Sequence, residues 1–196
     1  MSTQTRIADR TRTAAAHPLD PLGRREYEAI VPALRARDEV HDRVRLSSVA
    51  LREPSKDALA AFARGRPVPR QADVILHDPT RAEVWEAIVD IDGGDARVDS
   101  LVEVHGVQSG ITPEEFEECA RVVRADPQYR AGLEQRGISD PESILVEAWG
   151  MGGFAEPDET GRRLAWCPTW VRLFDGDNAY AHPIEGLYPV VDLNEM

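Results

Sequence analysis

The sequence predicts an α+β fold made of two similar small domains, each a helix packed on one face of an antiparallel sheet. Three observations predict it. Apolar residues recur at helical spacing in two places, Leu22 to Leu34 and Phe116 to Val123. Each helical stretch is followed by runs that alternate apolar and polar residues and are bounded by turn residues. Hydrophobic residues make up 42% and charged residues 30% of the 196-residue chain, ordinary for a globular protein with one domain or two small ones.

The first 16 residues, Met1 to Ala16, are polar and arginine-bearing, which predicts a disordered lead. They lack the hydrophobic middle of a secretory signal. The first domain spans 17–106. In "DPLGRREYEAIVPALRAR", Leu22, Tyr27, Ile30, Val31 and Leu34 define a helix, with Asp20 and Pro21 where a cap and a first-turn proline belong. "HDRVRLSSVALRE" alternates imperfectly through Val44, Leu46, Val49 and Leu51, a strand with a bulge near Ser47-Ser48. "PSKDALAAFARGRPVP" reads as a short helix closed by Gly65 and prolines. Three strands follow, with turns at Asp78-Pro79 and Gly93-Gly94. In the middle one, Trp85, Ala87 and Val89 alternate with Val84, Glu86, Ile88 and Asp90, so one face is mostly apolar.

A join near Gly106 to Gly110 leads into the second domain, 107–196. Thr112 is placed as an N-cap, Pro113 as the first helical residue and Glu115 in the capping-box position. Phe116, Cys119, Ala120 and Val123 form the apolar stripe. A second helical piece runs from Pro127 to Arg136 and ends at Gly137. "SILVEAWGMGGF" reads as a strand ending in glycines, "EPDETG" as a turn, and "RRLAWCPTWVRLF" as a long strand whose proline implies an edge or a bulge. After the "DGDN" turn, a closing strand runs from Leu187 to Leu193. A strand this apolar normally leads into more protein, so a continuation past Met196 is expected.

The formal net charge is -12, which disfavours phosphate backbones and hence nucleic acid as a partner. No run approaches the ~20 apolar residues that span a bilayer, so no membrane partner is expected and the cytoplasm is the default compartment. Cys119 and Cys167 fit no metal motif and no redox pair, and read as small core residues. The chain has no GxSxG, P-loop, GxGxxG, HExxH or CxxC. No two of His17, His41, His77, His105 and His182 lie two to five residues apart, so none forms a ready ligand pair. His77 and His105 read as surface or strand-end residues. Glu114-Glu115 and Glu117-Glu118 read as a solvated helix face that complements the helix dipole. The residues alone therefore supply no catalytic group and no metal ligand set. They leave open a free-standing α+β interaction or ligand-binding module.

The closing segment, "NAYAHPIEGLYPVVDLNEM", resembles a stretch of the copper-containing amine oxidases, the topaquinone enzymes of primary amines. There an aromatic-Ala-His-Pro-(Ile/Val)-(Glu/Asp)-Gly-Leu segment lies on a strand of the third N-terminal domain; Tyr180 to Leu187 match it in register. "HPLDPL" with the helix after it, and "VWEAIVDIDGGDARVDSLVEVHGVQSGITPEEFEECARVV", are similar to that family's second domain and its junction with the third. The resemblance implies two cystatin-like domains flanking a catalytic β-sandwich domain that is missing here. It also implies copper(II) and topaquinone for the full-length enzyme, none on this chain, and a primary amine as substrate. The implied reaction is primary amine plus O2 and water to aldehyde, ammonia and hydrogen peroxide. Tyr27, Tyr129, Tyr180 and Tyr188 do not fit the cofactor motif Asn-Tyr-(Asp/Glu), and no His-x-His copper pair is present. The chain is thus expected to be non-catalytic by itself. The resemblance implies Phe116, Trp149 and Tyr180 as lining residues of the substrate channel; the residues alone equally allow a core position for Phe116, at the start of the helix's apolar stripe, and ordinary surface for Tyr180, in a turn. His182, whose backbone Pro183 holds extended, reads as a hydrogen-bonded structural imidazole fixing the turn into the last strand rather than a catalytic one.

Overall fold

A helix or sheet with one apolar side must bury that side, and this chain does so twice. The computed structural model describes residues 17–92, 94–152 and 161–196, with four α-helices and nine strands among them. The disordered lead expected over 1–16 and the "EPDETG" turn up to Thr160 lie outside the described residues, as does Gly93 of the Gly93-Gly94 turn. The architecture is α+β. Contacts gather into two compact units. Of the described residues, those from His17 to Leu76 with those of 85–103 form one, and those of 77–84 with those of 104–196 the other.

In the first unit, α1 (Arg24–Arg35) begins later than Asp20 and Pro21 suggest. Its N-cap is Gly23, whose N–H donates to Glu26 Oε2 at 2.7 Å. Asp20 instead accepts the His17 amide at 3.0 Å. The reason is Arg70, which binds the Glu26 carboxylate and donates to the carbonyls of Asp20 (2.9 Å) and Pro21 (3.1 Å), holding the entry segment extended. Then come β1 (Arg45–Arg52), α2 (Lys56–Phe62), β2 (Arg70–Asp78), β3 (Glu83–Asp92) and β4 (Asp95–Glu103), in sheet order β1-β2-β3-β4. Alternation buries Ala72, Val74 and Leu76 of β2 and Trp85, Ala87, Val89 and Ile91 of β3 against Ile30 and Leu34 of α1. β3 and β4 are antiparallel. Ile88 faces Ser100 but Val89 faces Val98, so Asp99 is the extra residue of a bulge.

In the second unit, α3 (Pro113–Ala125) begins as its spacing predicts: Thr112 is the N-cap, and its N–H donates to Glu115 Oε2 at 2.8 Å. α4 (Pro127–Glu134) follows at once, capped by Asp126, whose Oδ1 accepts from the Tyr129 N–H at 2.7 Å. The strands are shorter than the sequence patterns suggest. "SILVEAWGMGGF" yields β5 (Ile144–Val146) and β6 (Trp149–Gly150). "RRLAWCPTWVRLF" yields β7 (Leu164–Trp166) and β8 (Thr169–Val171), separated by Cys167-Pro168. The closing strand is only β9 (Val190–Asp192). Proline explains the break, because Pro168 has no N–H to give the ladder.

Pairing nevertheless continues across the break. Ile144, Leu145 and Val146 face Val171, Trp170 and Thr169; Trp149 and Gly150 face Trp166 and Ala165. The Glu147 N–H donates to the Pro168 carbonyl at 3.1 Å, which puts Glu147 opposite Pro168 in the same register. On the other side, β9 pairs with β7, and Pro183 bridges to Trp170. Ile144, Val146, Ala148, Ala165, Cys167, Ile184 and Val191 all bury against Cys119 and Val123 of α3 and Tyr129 and Leu133 of α4. Helix packing is close enough that a Cβ on Gly132 would come within 2.6 Å of Leu187 Cδ2.

Candidate functional site: an aromatic outer sheet face

Successive strand residues point to opposite sides, so burying Ile144, Val146 and Ala148 turns Leu145, Glu147 and Trp149 outward. On the partner strand Trp166 and Trp170 face the same way, each opposite an outward residue. The outer face therefore carries three of the four tryptophans; the fourth, Trp85, is in the first unit's core. Trp149 is 48% exposed and stands edge-on to Trp166, centroids 5.3 Å apart. Tyr180 is 55% exposed and packs on Trp170, also at 5.3 Å. Its hydroxyl donates to Glu147 Oε1 at 2.6 Å, and this hydrogen bond to a carboxylate holds the phenol above its ordinary pKa.

The three residues expected at a substrate channel are thus placed as follows. Trp149 and Tyr180 share the outer face. Phe116 is 40% exposed on α3, a helix that packs against the opposite face. His182 sits beside that face: its carbonyl accepts from the Val171 N–H at 2.9 Å, and its Nε2 lies 3.3 Å from Asp177 Oδ2.

A second cluster corrects two expectations. His77 ends a strand as read, but it is buried, not at the surface. Glu115 is likewise buried, and not part of a solvated helix face. Arg163 donates to both oxygens of Glu115, at 2.5 and 2.9 Å, and to the Gly110 carbonyl at 2.9 Å. His77 Nε2 lies 3.5 Å from Glu115 Oε1. Burial pushes the Glu115 carboxyl up. Hydrogen bonds from His77, Arg163 and the Thr112 amide outweigh it, so the group lies well below the usual carboxylate range. A small cleft beside this pair is lined by His77, Asp78, Gln108, Ser109, Arg163 and Asn194. Among the described residues no three His, Cys, Asp or Glu side chains gather closely enough to hold a metal ion, so these residues do not fit a copper site.

Comparison with known proteins places both units. Residues 24–100 match the family model described as AGAO-like N2 domain, and residues 114–196 that described as copper amine oxidase, N3 domain. The chain is 39% identical over 179 residues to a primary amine oxidase of Arthrobacter sp. (strain P1), covering 91% of this chain and 27% of the relative. It is 31% identical over 222 residues to diamine oxidase [copper-containing] 1, peroxisomal, of Nicotiana tabacum, covering 95% and 28%. A primary amine oxidase of Klebsiella aerogenes is 31% identical over 182 residues, covering 90% and 23%. The solved structure of a copper-containing benzylamine oxidase from Hansenula polymorpha superposes with a TM-score of 0.63 at 20% identity, covering 90% of this chain and 28% of that one; this likeness concerns the fold. The chain spans about a quarter of the length of the relatives it matches.

Proposed function

Because the chain belongs to the copper amine oxidase family, as that family's N2-type and N3 domains, we propose that it is the N-terminal portion of a primary-amine oxidase. In this reading it flanks a catalytic domain on further polypeptide and lines the substrate channel, without being catalytic by itself. The observation that carries the reading is the outer aromatic face on the N3 unit, where Trp149 and Tyr180 stand half-exposed. Phe116, on α3 across the sheet from that face, is assigned to the channel by its place in the motif alone. Copper(II) and topaquinone, once bound by a full-length enzyme, supply the oxidation of amine to aldehyde with reduction of O2 to hydrogen peroxide. The described residues do not fit copper, and no step is assigned to them through either group. Their part is to hold the hydrocarbon portion of a primary amine and to exclude water.

The test has two arms. The reading frame should extend to an Asn-Tyr-(Asp/Glu) motif and a His-x-His pair. In that longer polypeptide, Trp149→Ala should raise KM for a primary amine while copper content and quinone absorbance stay unchanged. An unchanged KM rejects the channel role. Peroxide formation by the 196-residue chain with added copper rejects the claim that its machinery lies elsewhere.

A further inference from the structure

The carboxylate at the middle of the aromatic face is out of place for a surface that only covers apolar partners. Glu147 lies opposite Pro168, which makes Trp166 and Trp170 its diagonal neighbours across the ladder, on the order of 7 Å away in such pairs. Trp149 is its next same-face neighbour along its own strand. Tyr180 completes the ring and donates to Glu147 Oε1 at 2.6 Å. A carboxylate can accept about four hydrogen bonds, so the one from Tyr180 orients it without saturating it. The edge-on contacts Trp149–Trp166 and Trp170–Tyr180 hold the rings in fixed geometry.

We propose that Glu147, walled by Trp149, Trp166, Trp170 and Tyr180, is the anchor of a binding site for organic ammonium cations. A cation gains twice here. It meets the negative π faces of the rings, and it pairs with a held carboxylate. A neutral molecule gains only the rings, and an anion is repelled. An apolar protein segment docked on the same face would strand the Glu147 charge away from water, which costs free energy unless a cation accompanies it. The inference deepens the channel reading by naming the residue that would select for charge, but it is tested on its own.

The test uses the 196-residue chain and benzylammonium chloride, with benzyl alcohol as the neutral match. Indole N–H shifts in NMR separate the tryptophans, and Trp85, buried in the first unit, is an internal reference. Benzylammonium should move Trp149, Trp166 and Trp170 saturably and leave Trp85 in place. It should bind about threefold or more tighter than the alcohol. Glu147→Gln should abolish that preference while leaving the alcohol's shifts and the thermal unfolding curve unchanged. Equal binding of alcohol and ammonium by the unaltered chain overturns the proposal, as does a preference that survives Glu147→Gln. These outcomes are separable from the channel reading. Lost charge preference in this chain leaves that reading standing, whereas a KM indifferent to Trp149→Ala in the longer polypeptide leaves this one standing.

Discussion

Four glutamates crowd the start of α3, and one of them behaves unlike the rest. Glu114 and Glu117 are exposed and Glu118 half-buried, as the dipole argument anticipates, while Glu115 is 2% exposed and paired with Arg163. The capping role of Glu115 was legible, since Thr-Pro-x-Glu is a local pattern. Its burial was not, because the partner lies 48 residues away and only tertiary packing brings it. A folded pKa below the unfolded one means stabilisation that is complete above the ordinary glutamate value near ~4.3 and fades as pH falls through it toward the folded value. The stability gap between the unaltered protein and Glu115→Gln, measured by urea unfolding, should therefore narrow from pH 7 to pH 3. A gap independent of pH would show that Glu115 is not ionised in the fold. At neutral pH, Arg163→Met leaves the carboxylate buried without its partner and should cost about 3–5 kcal/mol.

At the scale of elements, α3, α4 and the β3–β4 hairpin were readable because each is specified by spacing within one segment. Ala87, Val89 and Trp85 face the core as their alternation requires. The strands of the second unit were readable in position but not in length. Pro168 interrupts the ladder in a way that alternation alone does not reveal, and β9 covers three residues of the seven expected. The clean two-residue period through this break makes a direct prediction. Ile144→Ala removes a core side chain and should cost about 2–5 kcal/mol. Leu145→Ala, one residue on and turned outward, should cost less than about 1 kcal/mol. Similar losses in chemical denaturation would mean that the two faces are assigned wrongly.

At the scale of the molecule, the two units keep separate cores, and both cysteines belong to the second. Cys167 Sγ donates to the Ala165 carbonyl at 3.7 Å, and the neighbouring Cys119 thiol together with burial holds the Cys167 thiol above its usual range. A thiol reagent should accordingly label the native chain at least about a thousandfold more slowly than an unfolded one, and labelling should track opening of the second unit. Immediate labelling of the folded chain would contradict that core. Which partner surrounds the outer aromatic face was not legible from spacing or alternation, since a half-exposed tryptophan looks the same in sequence whether it meets solvent, ligand or protein. The constant pairing of 144–151 with 164–171 also gives the second unit a parity. Adding one residue to either rail would turn it inside out, driving Glu147 or the tryptophans into the oily interior and Cys167 or Val146 into water. Adding two would restore the arrangement, so changes of length in this part of the molecule are tolerable in even steps or at the bends, and nowhere else.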